Sequence, residues 1–360
     1  MTLQTPLAAA PPAIAPGLAF ALLMAATLLW IALPFLPAMF ELLRPRDAAP
    51  LDAVGTDSGS LTYFATSFTE RMGAEGVFGA VPPGRLADGR GLRLHSARTP
   101  LTVSTAVQSD VLLLEDDTAL PDGTHCSAEC LSREDFNAGD RCNFRAVLGG
   151  RHVRLGTGTV VQRWVHAAGT LDVGVGSRLI GRATADDDIM LASDVQFDRL
   201  DAAMVRVGTR QPQDTTTLPV SAFTPYIPEG ALPLGTGYWR VTGDLTVPPG
   251  SALSGSVIVL GNVRIGDGAR VDGAIKAHGT LTVSPRAVVT GALSARSRIA
   301  IENGARVSGP VISETEIAVG AAVVGTPGQR TTVTAPLVEL RNGATVYGAV
   351  MSADGGVTTT

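Results

Sequence analysis

A repeat with a period of eighteen positions, beginning at Leu245, constrains the fold of this chain more than any other feature of its sequence. Four successive blocks of that length align without gaps over 245–316. Self-similarity at a fixed period is typical of repeat architectures. Each block holds three pairs of small or aliphatic residues. The members of a pair are separated by one residue, and successive pairs begin six positions apart. Because strands have a side-chain period of two, each block predicts one coil of three short strands in a parallel β-helix.

When the blocks are stacked, the inward positions form six columns. The columns are Leu245, Val263, Leu281, Ile299 and Ile317; Val247, Ile265, Val283, Ile301 and Val319; Ser251, Ala269, Ala287 and Ala305; Leu253, Val271, Val289 and Val307; Val257, Ile275, Leu293 and Val311; and Val259, Ala277, Ala295 and Ser313. Glycines such as Gly268, Gly273 and Gly279 fall at the corners, where the chain needs unusual backbone angles. The pattern predicts an all-β fold, a triangular parallel β-helix.

The fifth coil departs from the period. Val338 follows Ile317 three positions later than the period requires, and we expect the segment TPGQRT at 326–331 to loop out. The sixth coil returns to all six columns. Its inward residues are Val338, Leu340, Ala344, Val346, Val350 and Ser352. The sequence therefore predicts about six coils, and it places the regular β-helix at 238–355, with Trp239 and Val241 already in the fifth and sixth columns.

The same period recurs more weakly upstream. Residues one period apart match in three series: Val153, Leu171 and Ile189; Leu155, Val173 and Leu191; and Val161, Leu179 and Phe197. We therefore interpret 100–208 as an irregular first solenoid and the Thr- and Pro-rich segment 209–237 as a linker. The composition agrees with a narrow solenoid core, since 45% of residues are hydrophobic but only 5% are aromatic.

An uncharged apolar run at 17–40 follows a short N-terminal tail at 1–16. The run is longer than the roughly 20 residues that a membrane-spanning helix needs, so we expect a transmembrane helix there. Arg44 and Arg46 follow it, and no basic residue precedes it. The positive-inside rule then places the solenoid on the cytoplasmic side of a single-pass membrane protein, with an extracytoplasmic body as the alternative.

Residues 41–99 are interpreted as a linker that contains an amphipathic helix near 60–72. Leu61, Ala65, Phe68 and Met72 recur at helical spacing and fall on one face. That face is suited either to a contact near the membrane or to packing on the first turn of the solenoid.

Three cysteines, Cys126, Cys130 and Cys142, leave two interpretations open. An odd number is poorly suited to a complete disulfide framework. The three thiols are either metal ligands or small apolar core residues in a reducing compartment, and the loose C-x3-C spacing favours the core. We predict no metal and no cofactor. The net charge of -5 argues against a nucleic-acid partner.

The regular coil, its length and the phrase GARVxG, at 268–273 and 304–309, resemble the bactofilins, the polymer-forming proteins of the bacterial cytoskeleton. The resemblance covers about 238–355. It implies a right-handed triangular β-helix, which the small third column also favours. It further implies end-to-end polymerisation without nucleotide, in filaments that commonly lie on the inner membrane. A long first solenoid and a membrane span depart from typical members.

We accordingly expect a non-enzymatic, membrane-anchored scaffold whose main partner is a second copy of itself, with cell-envelope proteins as further partners. The last coil is followed only by SADGGVTTT, which is too short for a capping helix. Open solenoid ends expose unpaired strand edges. The predicted self-association surface is therefore Val346, Tyr347, Val350 and Met351, with a tail that folds over this end as the alternative.

Three alternative functions place different requirements on the sequence. The first is a membrane-tethered binding module for cell-envelope polysaccharide machinery, and no residue of the sequence identifies such partners. A hexapeptide-type acyltransferase would use His278, but it requires a small residue at the same place on every side of the coil, and Ile275 and Leu293 break that rule. A carbohydrate-cleaving β-helix would use clustered carboxylates, for which Asp186, Asp187 and Asp188 are the candidates.

Overall fold

The structure, a computed structural model, describes residues 16–36, 62–79, 82–96, 107–115, 118–208 and 223–360. The chain divides into two compact units, residues 1–49 and 50–360. In the first, helix α1 spans Pro16–Ala32 and a 3-10 turn spans Leu33–Phe35. Among the described residues no helix is both long and apolar enough to cross a membrane. The transmembrane helix predicted at 17–40 is therefore not confirmed, and 37–40 lie outside the described residues.

Helix α2, Tyr63–Ala74, confirms the amphipathic helix predicted near 60–72. Ala65 and Met72 are buried and Phe68 is half-buried, as the helical spacing predicts, while Leu61 lies outside the described residues. The buried face packs on the outer surface of the first solenoid, where Phe68 meets Trp164 edge to face at 5.5 Å between ring centroids. Packing on the solenoid, one of the two uses expected for this face, is therefore what the structure contains.

The rest of the second unit is a parallel β-solenoid of about 13 turns. The strands of the first solenoid are β1 Leu92–His95, β2 Val111–Leu114, β3 Ala119–Leu120, β4 His125–Ser132, β5 Phe136–Ala138, β6 Asn143–Gly149, β7 Val153–Leu155, β8 Val160–Ala167, β9 Leu171–Val173, β10 Arg178–Ala185, β11 Asp188–Leu191, β12 Gln196–Asp201 and β13 Met204–Val207. The stack thus begins with β1, earlier than the predicted boundary at residue 100.

The second solenoid contains twenty described strands. They are β14 Thr224–Tyr226, β15 Leu232–Gly235, β16 Tyr238–Val241, β17 Leu245–Val247, β18 Ser251–Ser254, β19 Ser256–Val259, β20 Val263–Ile265, β21 Arg270–Asp272, β22 Ile275–Ala277, β23 Leu281–Val283, β24 Val288–Val289, β25 Leu293–Ala295, β26 Ile299–Ile301, β27 Arg306–Val307, β28 Val311–Ser313, β29 Glu316–Val319, β30 Val323–Val324, β31 Thr331–Arg341, β32 Thr345–Val346 and β33 Gly348–Thr359. The predicted linker 209–237 therefore already contributes β14 and β15 to this solenoid.

The six predicted columns form the core of the second solenoid. Register pairs run from Leu245 to Val263 and on to Leu281, each step one period long. Every residue of the six columns from Leu245 onward is buried. The loop expected at 326–331 is observed at 325–330, between β30 and β31, and Thr331 already belongs to β31. Trp239 pairs with Val257, which confirms its place in the fifth column. The periodicity therefore predicted both the strands and their register.

The first solenoid follows the same period with irregular coils. Its predicted matches hold, since Val153 pairs with Leu171 and Leu179 pairs with Phe197. Two sides of a coil merge here into one long strand, as in β4, β6, β8 and β10, with a register shift inside the strand. Its core also contains Phe136 and Phe144, which pack edge to face at 5.5 Å.

Side chains at one corner link successive coils in both solenoids. The Oδ1 atom of Asp140 accepts a hydrogen bond from the backbone N–H of Thr157 at 2.8 Å. The Oδ1 atom of Asn262 accepts one from the N–H of Thr280 at 2.9 Å in the same way. Such bonds satisfy backbone donors that the turn would otherwise leave unpaired. Gly268 takes a positive φ of 60° at another corner, which explains the glycine that opens the GARVxG phrase.

Candidate self-association site

The four residues predicted to form a self-association surface lie where the two solenoids meet within the chain. Strand β33 pairs antiparallel with β12, placing Val350 opposite Leu200 and Met351 opposite Arg199. Strand β32 pairs antiparallel with β13, placing Val346 opposite Val205. Val346 and Val350 are fully buried. The expectation of an open edge at this end of the second solenoid was therefore wrong, because the last coil of the first solenoid covers it.

Tyr347 is the predicted residue that has no strand partner across this contact. It is half-buried, and its Cβ lies beside Gly325 within its own solenoid. Its backbone carbonyl accepts a hydrogen bond from the N–H of Thr331 at 2.8 Å. Three of the four predicted residues therefore belong to the contact between the solenoids, and Tyr347 supports the coil beside it.

We call this contact, formed by β12 and β13 with β32 and β33, the junction. The C-terminal coils of the two solenoids meet there, so the strands on its two sides run in opposite directions. The buried cores of the two solenoids form one continuous cluster across it. Burial of this apolar surface stabilises the junction.

Thr358 closes the junction at one corner. Its Oγ1 accepts a hydrogen bond from the N–H of Val195 at 2.9 Å and donates one to the carbonyl oxygen of Ala192 at 2.7 Å. Its side chain is fully buried, so both bonds lie in a region that water does not reach. Residues 352–359 of the segment SADGGVTTT, expected to be a tail that either leaves this end open or folds over it, thus belong to strand β33.

Phe197 and Gly356 pack closely against each other across the junction. The two residues pair in the strand register, and Phe197 is buried. A Cβ atom added to Gly356 would lie far inside van der Waals contact with the Phe197 ring. A glycine is therefore required at 356 for the aromatic ring to fill the core beneath it.

An ion pair joins Asp201 of the first solenoid to Arg330 of the second. Burial raises the pKa of the Asp201 carboxyl above its ordinary value of 3.8, and the nearby Arg330 guanidinium opposes that rise. Arg330 stands in the loop that interrupts the fifth coil, so the insertion places a cation against the first solenoid. The loop thus contributes directly to the junction.

The opposite end of the second solenoid is open in the part of the chain that the structure describes. Its outermost strand, β15, pairs antiparallel with β16, and no other described strand pairs with it. Trp239 and Tyr226 pack against the end of the core. Outside this cover Ile227, Leu232 and Leu234 are 69%, 55% and 48% exposed. We call this surface, formed by 224–241, the open end.

The remaining sequence candidates lie apart from these surfaces. Cys126, Cys130 and Cys142 are free thiols buried in the core of the first solenoid, and burial raises the pKa of the Cys130 and Cys142 thiols. Their position agrees with the interpretation as core residues. In the described part of the chain no group of three or more His, Cys, Asp or Glu side chains is arranged to hold a metal ion.

The candidates for enzymatic roles stand at coil corners. His278 follows β22 directly, and Asp186 and Asp187 are exposed between β10 and β11. Asp188, the third candidate carboxylate, begins strand β11 and is half-buried. Comparison of the chain with protein-family models, with curated proteins and with solved structures finds no match in any of the three.

Proposed function

We propose that this protein is a membrane-anchored structural scaffold, similar to the bactofilins, that self-associates through solenoid ends without nucleotide. The open end is the observation that carries the proposal. It combines an outer strand, β15, whose second edge pairs with no described strand, with three exposed apolar side chains, Ile227, Leu232 and Leu234. The other end of the same solenoid is already joined to a second stack of coils.

The junction provides the physical precedent for such self-association. It joins two like ends of solenoids through antiparallel strand pairing over a continuous core. Two copies of the open end would meet in the same manner, as a two-fold contact in which each surface is its own partner. Pro233 lacks an N–H and limits backbone pairing along β15, so we assign most of the stabilisation to packing of Leu232 and Leu234.

Anchoring rests on the apolar N-terminal segment. Within 17–40 the described side chains include Leu22, Trp30 and Phe35, which are 57%, 79% and 67% exposed. Exposed apolar surface of this extent is typical of a membrane or protein contact. We propose that the segment binds the bacterial inner membrane, with the solenoid on the cytoplasmic side, where free thiols such as those of the first solenoid persist.

The test is electron microscopy of the full chain reconstituted on vesicles of bacterial phospholipid, without nucleotide. We expect ordered assemblies from the wild type and their loss from Leu234→Arg, because a charge at the centre of an apolar contact must be desolvated. Leu337→Arg is the matched control, since Leu337 is 49% exposed on the side of the same solenoid. Assemblies that survive Leu234→Arg contradict the assigned end. Isolated rods from the wild type contradict self-association and favour a membrane-tethered binding module.

A further inference from the structure

A cavity of about 570 Å³ lies between helix α2 and the outer face of the first solenoid. Ala65, Thr69 and Glu70 line it from the helix, and Leu148 and His166 line it from the coils. Cavities that bind small molecules typically measure about 300–1,000 Å³. None of its lining residues belongs to the junction or to the open end, so the cavity does not depend on the proposed scaffold function.

His166 interrupts an apolar column on the outer face of the solenoid. The strand register aligns five outward residues in successive coils, which are Leu113, Leu131, Leu148, His166 and Thr184. The three leucines are buried in the cluster that α2 covers. His166 follows them at the cavity and is only 9% exposed. A polar ring therefore stands at a nearly buried position that its neighbours fill with leucine.

The hydrogen bonds of Thr184 determine which ring nitrogen of His166 carries the proton. Nδ1 of His166 lies 2.9 Å from Oγ1 of Thr184, and the same hydroxyl donates to the carbonyl oxygen of Val165 at 3.4 Å. A hydroxyl has one proton, so both bonds form together only when Nδ1 is the donor. Nε2 is then an acceptor with a free lone pair. Burial lowers the pKa of His166, against the opposing effect of Asp186, and thereby favours the neutral ring.

The charges around the cavity cancel. Glu70 and Arg133 both line it, and their formal charges are opposite. Arg133 donates hydrogen bonds to the backbone carbonyl oxygens of Val77 and Gly79, which hold it at the rim. Much of the remaining lining is apolar, from residues such as Phe78 and Leu148. The residues that line the cavity therefore favour neither a cationic nor an anionic ligand.

We propose that the cavity binds an uncharged small molecule with an apolar body and one hydrogen-bond donor, such as a hydroxyl, which donates to Nε2 of His166. The apolar body contacts Phe78 and Leu148, and α2 forms the opposite wall. The helix is then more than a cover for the solenoid, because it completes a binding site between itself and the coils.

The test uses the full chain labelled with nitrogen-15 histidine, which gives signals from five residues. The probe is 2-naphthylmethanol, and 2-methylnaphthalene, which lacks the hydroxyl, is its matched partner. His152 is the internal reference, because its Nδ1 also lies 2.8 Å from a threonine hydroxyl, that of Thr170, outside this cavity. The spectrum of the free protein reports directly whether Nε2 of His166 is unprotonated.

We expect 2-naphthylmethanol to move the Nε2 signal of His166 upfield in a saturable manner and to leave His152 unchanged. The probe without the hydroxyl should bind about threefold to tenfold more weakly, as the net value of one hydrogen bond implies, and should not move Nε2 upfield. Filling the cavity from either wall, with Ala168→Phe or Thr69→Phe, should abolish the shift while the other histidine signals persist.

Three results would overturn the proposal. One is a protonated Nε2 in the free protein. Another is a change in the behaviour of the His166 Nε2 signal: no shift at saturating 2-naphthylmethanol, an equal shift at His152, or a shift that persists in both Ala168→Phe and Thr69→Phe. The third is tighter binding of 2-naphthylmethylamine, which would replace the uncharged ligand class with a cation.

Discussion

The two solenoids share one repeat period but differ in how strictly they keep it. Over 245–324 the second builds its coils from three short strands over small aliphatic side chains, and only its last strands, β31 and β33, are long and contain a register shift. The first merges two sides into long strands with internal register shifts, and it buries Phe136, Phe144 and Phe197. The difference shows that a narrow coil requires similar small side chains at equivalent positions of successive coils. A coil with register shifts accepts aromatic rings in its core and supports a helix on its outer face.

The largest expected effect is a difference in stability loss between core substitutions in the two solenoids. Phe144→Ala should lower the free energy of unfolding by about 3–5 kcal/mol, because it leaves a large void beside Phe136. Val271→Ala, at an equally buried column position of the second solenoid, should cost only about 2 kcal/mol. Urea unfolding followed by circular dichroism measures both. Equal losses would show that the two cores respond alike and would contradict the distinction.

A smaller effect is expected at the junction that joins the two regions. Gly356→Ala should cost about 1–3 kcal/mol, since the new methyl group forces the Phe197 ring to move. Gly243→Ala is the matched control, because no atom lies within 4 Å of its added Cβ, and it should change stability by less than about 0.5 kcal/mol. Thermal unfolding measures the pair. A harmless Gly356→Ala would mean that the junction is not packed as described.

The ion pair across the junction should respond to pH. Arg330→Ala should cost about 1–2 kcal/mol at neutral pH, because it removes the cation beside the partly buried Asp201 carboxylate. The raised pKa of Asp201 means that its contribution to stability is present below the ordinary value of 3.8 and is lost as the pH rises through the folded-state value. The deficit of Arg330→Ala should therefore shrink on acidification.

Asp201→Asn provides the control for this pair, because it removes the charge that Arg330 compensates. In the Arg330→Ala background it should restore most of the lost stability at neutral pH, as measured by urea unfolding at pH 7 and at pH 4. A deficit that is independent of pH and persists with Asp201→Asn would assign the effect to packing of the Arg330 side chain.

The smallest expected effects should be equal in the two solenoids. Asn262→Ala and Asp140→Ala each remove the acceptor for a backbone N–H of the next coil, and each should cost about 1 kcal/mol. Amide hydrogen exchange should accelerate locally, at Thr280 in the first variant and at Thr157 in the second. Unequal losses would show that the corner bonds, too, differ between the regions.

The sequence was sufficient for the second solenoid because its fold is local. Each inward residue of that solenoid lies over the residue one period away, so a single period determines strands, register and core together. The helix α2 was likewise predictable from the spacing of Ala65, Phe68 and Met72. What the helix packs on was left open, because the outward residues Leu131 and Leu148 have the same character as core residues.

The junction could not be predicted from the same pattern, because it pairs residues near 200 with residues near 350 in opposite directions and no period connects them. The segment after Ser352 breaks the columns, so the repeat pattern indicates a tail there. The β-branched residues Val357, Thr358 and Thr359 were a signal for a strand there. Their partner strand became visible only in the folded chain.

The most direct test of the account is the distance between copies at the open end. A nitroxide label placed by Leu234→Cys reacts at a surface site, whereas the native thiols Cys126, Cys130 and Cys142 are buried. In the full chain assembled on vesicles, electron paramagnetic resonance should detect a short distance between two labels at 234. A label placed by Leu337→Cys should give no such distance. Its absence at 234 in assembled samples would contradict the claim that open ends join the copies.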